Sequence, residues 1–139
     1  MKDLNIIIID HKTDGQKAKD VFLEINSHST VYLADNDVEA WSLLDGDTKL
    51  NPLPKIIIVD VYKEDVNGMV LVDKIRNHPL LKSLLVFVLS DSDTNKEEAL
   101  KFNIAGYITK PIDAENITEV YSKLNEYLSI IEFPRDNQI

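Results

Sequence analysis

Cysteine is absent from the 139 residues, so no disulfide and no thiolate metal site can form, and a reducing compartment suits the chain. Basic residues are outnumbered, 15 against 24 acidic ones, for a net charge of −9 and a pI of about 4.7. That argues against a duplex-binding surface, which needs clustered Lys and Arg to neutralise phosphates. A basic protein partner is not excluded, and solubility alone accounts for the acidic excess. The apolar stretches are of strand length, far short of a membrane span. Met1-Lys2-Asp3-Leu4 leads straight into a strand without signal-peptide architecture, so a cytoplasmic protein with no nucleic-acid or membrane partner is expected. Glycines and prolines are few, four and five, and no linker, repeat or low-complexity segment divides the chain. What remains, 44% hydrophobic and 28% charged residues, is the composition of one ordinary globular domain.

Apolar runs alternate with segments of helical period. The runs predict strands at Asn5–Asp10, Thr30–Ala34, Lys55–Asp60, Leu84–Ser90 and Gly106–Thr109. Unbroken Ile and Val mark strands buried on both faces, and the mixed Thr30–Ala34 suits a strand nearer the edge. Between them, Ala18, Val21, Phe22 and Ile25 form one apolar stripe, and Val38, Trp41 and Leu44 (or Leu43) a second. Met69, Val72 and Ile75 form a third, and Ala99, Leu100 and Phe102 a short fourth, with Thr94 and Glu97 spaced as a capping box. Ile117, Val120, Tyr121, Leu124, Leu128 and Ile131 form a fifth, with Asp113 as its N-cap. The stripes read as core, Trp41 included. Strict β-α alternation predicts an α/β fold, a doubly wound (βα)5 domain over residues 1–132 with a parallel five-stranded sheet. Residues 133–139 read as a loose tail.

In such sheets ligands gather at the C-terminal strand tips, around the point where the strand order reverses. Asp10 and Asp60 close the first and third strands, Ser90 the fourth, and Lys110 follows the fifth. With the first and third strands adjacent, the two acids converge and Ser90 and Lys110 face the same crevice. Carboxylates hold a hard cation, one of them can attack a phosphoryl group, and Lys with Ser can bind its oxygens. Taken singly each residue has a plainer role: Asp60 or Ser90 as a turn or cap residue, Lys110 as a surface lysine before Pro111. The constellation is what favours phosphoryl chemistry.

The residues that carry it resemble the receiver domain of two-component response regulators across nearly the whole chain. The matching features are Ile9-Asp10, Asp60 with Gly68 eight residues on, Ser90-Asp91, and Gly106-Tyr107-Ile108-Thr109-Lys110-Pro111. Ala34-Asp35-Asn36-Asp37-Val38-Glu39-Ala40 is similar to the family's second strand-to-helix turn. The resemblance implies a flavodoxin-like sheet of order 2-1-3-4-5 and a stand-alone, chemotaxis-regulator-like switch rather than an enzyme. Asp60 would accept a phosphoryl group from a histidine kinase or phosphotransfer protein, and Lys110 would pair with the acyl phosphate. Ser90 would reorient towards a phosphate oxygen, and Tyr107, which suits simple packing equally well, would change rotamer with it. The surface of the fourth helix, fifth strand and fifth helix would carry the signal to a downstream partner, with the chain as a monomer or weak homodimer. Asp10, Asp60 and the backbone carbonyl of Tyr62 would hold Mg²⁺, and Tyr62 and Ser92 would tune hydrolysis.

The chain departs from the family pattern where a second acid is expected after Asp10: His11 stands there. Imidazole is a poor ligand for Mg²⁺ and suits softer metals. Three outcomes stay open. Asp10 and Asp60 hold Mg²⁺ weakly, helped by Asp14 or Glu64 through water; His11 favours Mn²⁺ or Zn²⁺; or metal-dependent phosphorylation is lost and a degenerate receiver acts as a binding module. Glu64 also replaces the proline common four residues after the phosphoacceptor. A flavin enzyme on the same fold is disfavoured, because Asp10-His11-Lys12-Thr13-Asp14-Gly15 has one glycine and would cradle a phosphate poorly. His28 and His78 read as loop or helix-end residues without a role at the site.

Overall fold

The computed structural model describes residues 3–61, 68–90, 96–110 and 114–132. In chain order the elements are β1 (Asn5–Ile9), α1 (Lys12–Ile25), β2 (Thr30–Ala34), α2 (Asp37–Asp45), β3 (Ile56–Asp60) and α3 (Gly68–Arg76). A short 3-10 turn (Leu81–Ser83), β4 (Leu85–Ser90), α4 (Lys96–Leu100), β5 (Gly106–Thr109) and α5 (Ala114–Ser129) complete them. The strands form one parallel sheet in the order β2-β1-β3-β4-β5. This is the expected doubly wound arrangement, and Thr30–Ala34 is an edge strand as its mixed composition suggested.

Strand side chains alternate between faces, so consecutive isoleucines feed two different cores. Ile7, Ile9, Ile57, Val59, Val86 and Val88 pack under α2, α3 and α4, against Ala40, Leu44, Leu71, Val72, Ile75 and Ala99. Ile6, Ile8, Ile56, Ile58, Phe87 and Leu89 pack under α1 and α5, against Ala18, Phe22, Tyr121, Leu124 and Leu128. Each fully buried Ile is worth ~1.5–3 kcal/mol relative to exposure, which is why these strands tolerate no polar alternation. Gly106 lies opposite Phe87 in the register, and a Cβ there would come within 3.0 Å of the Phe87 ring. Glycine is thus what lets β5 close on β4 above that ring.

The register aligns the strand tips. Val59 pairs with Ile9, Asp60 with Leu89, and Ser90 with Thr109. Asp10 falls just past the end of β1, with its N–H donated to the carbonyl of Ala34 at 3.1 Å. Lys55 and Leu84 likewise lie just outside the strands predicted to include them.

Two stripe residues are not core. Val38 is 75% exposed, because the inward face of α2 is Ala40 and Leu44, and at 100° per residue Val38 points about 200° from Ala40. Leu100 is 53% exposed: α4 is five residues long and turns Ala99 inward instead. Trp41 is half-buried against the core, with the Lys74 ammonium 4.0 Å above its ring. The Thr94 end of the capping box, the Asp113 cap, Tyr62, Glu64, Ser92 and the 133–139 tail lie outside the described residues.

Candidate functional site

The β5 strand hands Lys110 to the tip of the sheet. Its backbone N–H donates to the carbonyl of Ser90 at 2.6 Å, extending the β4–β5 ladder by one rung. From there its ammonium reaches across to three carboxylates. It lies 2.8 Å from Asp60 Oδ2, 2.8 Å from Asp14 Oδ2, and 3.1 and 3.2 Å from the two oxygens of Asp10. Asp10 and Asp60 are buried, at 5% and 1% exposure, and Ser90 is fully buried at the end of β4. Asp14, in the first turn of α1, is the acid most open to water.

Burial alone would push the Lys110 ammonium towards neutrality. The hydrogen bonds to Asp14 and Asp60 and the charges of Asp10 and Asp60 outweigh it, holding Lys110 well above the usual lysine range. Tyr121 on α5 lies behind this group, its ring 4.6 Å from that of Phe22. Its hydroxyl is pushed up first by burial and then by the charge of Asp10. The sequence showed Tyr121 only as a core residue, and its electrostatic link to the acids comes from the way α5 packs.

The convergence of Asp10, Asp60 and Lys110 is as the topology predicted. Tyr107 on β5 pairs with Val88 and packs, half-buried, against the core beneath α2, α3 and α4. His11 is exposed and N-caps α1; it gives the site its backbone N–H, 2.7 Å from Asp10 Oδ1, and its side chain makes no capping bond. Asp14 entered the sequence reading only as a helper through water, whereas it contacts Lys110 directly. The signal was its place in the first turn of the helix that follows Asp10.

Oxygen donors such as Asp10 and Asp60 suit a hard divalent cation in kind. Among the described residues no three His, Cys, Asp or Glu side chains are disposed around a metal position. The carboxylates converge on an ammonium instead, so an incoming ion would share them with Lys110. His11, exposed, adds no soft nitrogen ligand among the buried groups.

Residues 6–122 match the response regulator receiver domain family, and the chain belongs to it. Receiver domains are signalling switches of two-component systems, partnered by histidine kinases or phosphotransfer proteins, and they generally bind Mg²⁺. Among curated relatives, the chemotaxis protein CheY1 of Helicobacter pylori is 25% identical over 118 residues, covering 84% of this chain and 92% of that protein. Among solved structures, the phosphorylated cyanobacterial phytochrome response regulator RcpA superposes with a TM-score of 0.86 at 20% identity, covering 96% of this chain and all of that one. The Mn²⁺-bound form of the response regulator Rcp1 does so at 0.79 and 17% identity, covering 95% and 99%. At these identities the structures speak for the fold. Among the described residues no helix is long and apolar enough to cross a membrane.

Proposed function

We propose that the chain is a phosphoryl-accepting receiver in which Asp60 is the acceptor. The observation that carries this is the Asp60 carboxylate itself, buried at the tip of β3, beside Asp10 and 2.8 Å from the part-buried Lys110 ammonium. A carboxylate oxygen of Asp60 attacks the phosphorus of a phosphohistidine or a small acyl phosphate. The O–P bond forms, the bond to the leaving imidazole or carboxylate breaks, and its electron pair departs with that group. Lys110 balances the charge spread over the phosphoryl oxygens in the transition state and pairs with the product. The Ser90 hydroxyl donates to a phosphoryl oxygen, and Tyr107 follows it, shifting the α4-β5-α5 surface between two populations. Asp10, Asp60 and the Tyr62 carbonyl would hold Mg²⁺ or Mn²⁺, which when bound neutralises charge at the reacting oxygens.

The test is intact mass after incubation with a small phosphoryl donor, with and without Mg²⁺ or Mn²⁺, beside Asp60→Asn. The expected result is a gain of one phosphoryl group that needs both the metal and Asp60. No gain with any metal in a folded protein would leave a receiver that signals by binding alone.

A further inference from the structure

The family's constellation accounts for Asp10, Asp60 and Lys110, and leaves Asp14 over. Its carboxylate takes the Lys110 ammonium at 2.8 Å, a contact as short as that of Asp60. The acid expected next to Asp10 is replaced by His11, whose contribution is a backbone N–H. A third carboxylate therefore enters the site from the first turn of α1. We propose that Asp14 is a positioning residue for Lys110: it holds the ammonium in the unphosphorylated site and competes for it with a phosphoryl group on Asp60. The competition half rests on Asp60 being the acceptor.

Three carboxylates face one ammonium, so with all of them ionised two negative charges stay uncompensated within the group. Phosphorylation replaces the single charge on Asp60 with about two. Lys110 must then divide its three protons between the phosphoryl oxygens and the carboxylates that remain. Asp14 is the contact that yields. Its side chain is 41% exposed against 2% for Asp10, so water can take over its hydrogen bonds while Asp10 has no such exchange. Removing the Asp14 charge thus acts twice in one direction, lowering repulsion towards the incoming dianion and freeing the ammonium to meet it.

The experiment has two readouts. The first is the side-chain NH₃⁺ resonance of Lys110 in ¹⁵N-lysine protein, assigned with Lys110→Arg, in wild type, Asp14→Asn and Asp14→Glu. The second is the rate of phosphorylation by acetyl phosphate with Mg²⁺. Asp14→Asn is expected to shift or broaden the resonance and raise the rate about fivefold, a figure already discounted for solvent screening at Asp14. Asp14→Glu, which keeps the charge, is expected to stay near wild type in both. An unchanged resonance in folded Asp14→Asn overturns the proposal, whatever the rate does. So does a changed resonance with a rate within twofold of wild type, since that removes the competition. A changed resonance with no phosphorylation of any variant, wild type included, sustains Asp14 as the holder of Lys110 and overturns the acceptor role of Asp60 separately.

Discussion

Lys110 and Arg76 are both drawn inward, at opposite ends of the sheet, and their surroundings push them in opposite directions. Arg76 ends α3 near the strand starts. Its Nε donates to the carbonyl of Phe102 at 3.2 Å, and its Nη1 to those of Lys82 and Leu84 at 2.8 and 3.0 Å. Burial lowers its pKa, and these carbonyl dipoles do not reverse the shift. At Lys110 the excess of carboxylates does reverse it. A cation tied to backbone carbonyls is a clamp, because its partners are fixed by the fold. A cation shared among more carboxylates than it can neutralise is a site that an incoming ligand can redistribute.

His78 belongs with the clamp. Its Nδ1 accepts from the backbone N–H groups of Leu80 and Leu81 at 3.1 and 3.2 Å, and its Nε2 lies 3.3 Å from Asp45 Oδ2. It thereby ties the 3-10 turn ahead of β4 to the end of α2.

The sharpest way to break the contrast is to remove each cation. Lys110→Ala takes the one ammonium away from the buried Asp10 and Asp60 carboxylates and is expected to cost about 3 kcal/mol in urea unfolding. Asp60→Asn should have the opposite sign, stabilising by about 1 kcal/mol, because it relieves repulsion while Lys110 keeps Asp10 and Asp14. A loss of stability in Asp60→Asn would mean that the acids are balanced after all.

At the other end, Arg76→Ala is expected to cost about 1 kcal/mol by removing its hydrogen bonds to the part-buried carbonyls of Phe102 and Leu84, with no paired change of opposite sign among its partners. Arg76→Lys should recover less than half of that loss, since one ammonium cannot span carbonyls on both the β4 entry and the turn before β5. Full recovery by lysine would reduce the clamp to a bare positive charge.

These two ends also differ in how far the sequence disclosed them. The strands were legible because runs such as Ile6-Ile7-Ile8-Ile9 and Ile56-Ile57-Ile58-Val59 suit burial on both faces. The meeting of Asp10 and Asp60 followed from strand order, since β1 and β3 are neighbours; Lys110, two strands from β3, joins them by the reach of its long side chain. Arg76 was illegible because its partners are backbone carbonyls, which leave no trace in residue type. Asp14 was half-legible: its nearness to the acids was read as help through water, and its direct hold on Lys110 was not visible. Val38 was misplaced because its i+3 spacing to Trp41 and Leu44 does not reveal that Ala40, about 200° away, is what packs on the sheet, and Leu100 because the five-residue α4 turns only Ala99 of its expected stripe inward.

The smallest expected effect sharpens the contrast through pH. The folded pKa of Lys110 lies above its ordinary value of 10.5, so the stability it contributes is fully present well below that value and is lost progressively as pH rises through it. Tyr121, raised from 10.0, acts with the same sign: the unfolded phenol ionises above pH 10 while the folded one stays neutral. Between pH 7 and 9 both contributions are flat. From pH 9 to 11 each is expected to remove roughly 1 kcal/mol, the unfolded chain gaining what the folded site withholds. The measurement is the slope of unfolding free energy against pH in wild type, Lys110→Met and Tyr121→Phe. Each variant should flatten the alkaline limb by its own share, and Arg76→Lys, altered at the far end, should leave the Lys110 and Tyr121 shares intact. An alkaline limb as steep in Lys110→Met as in wild type would mean that the carboxylates do not hold the ammonium more firmly than water does, and the difference between the two ends of the sheet would vanish.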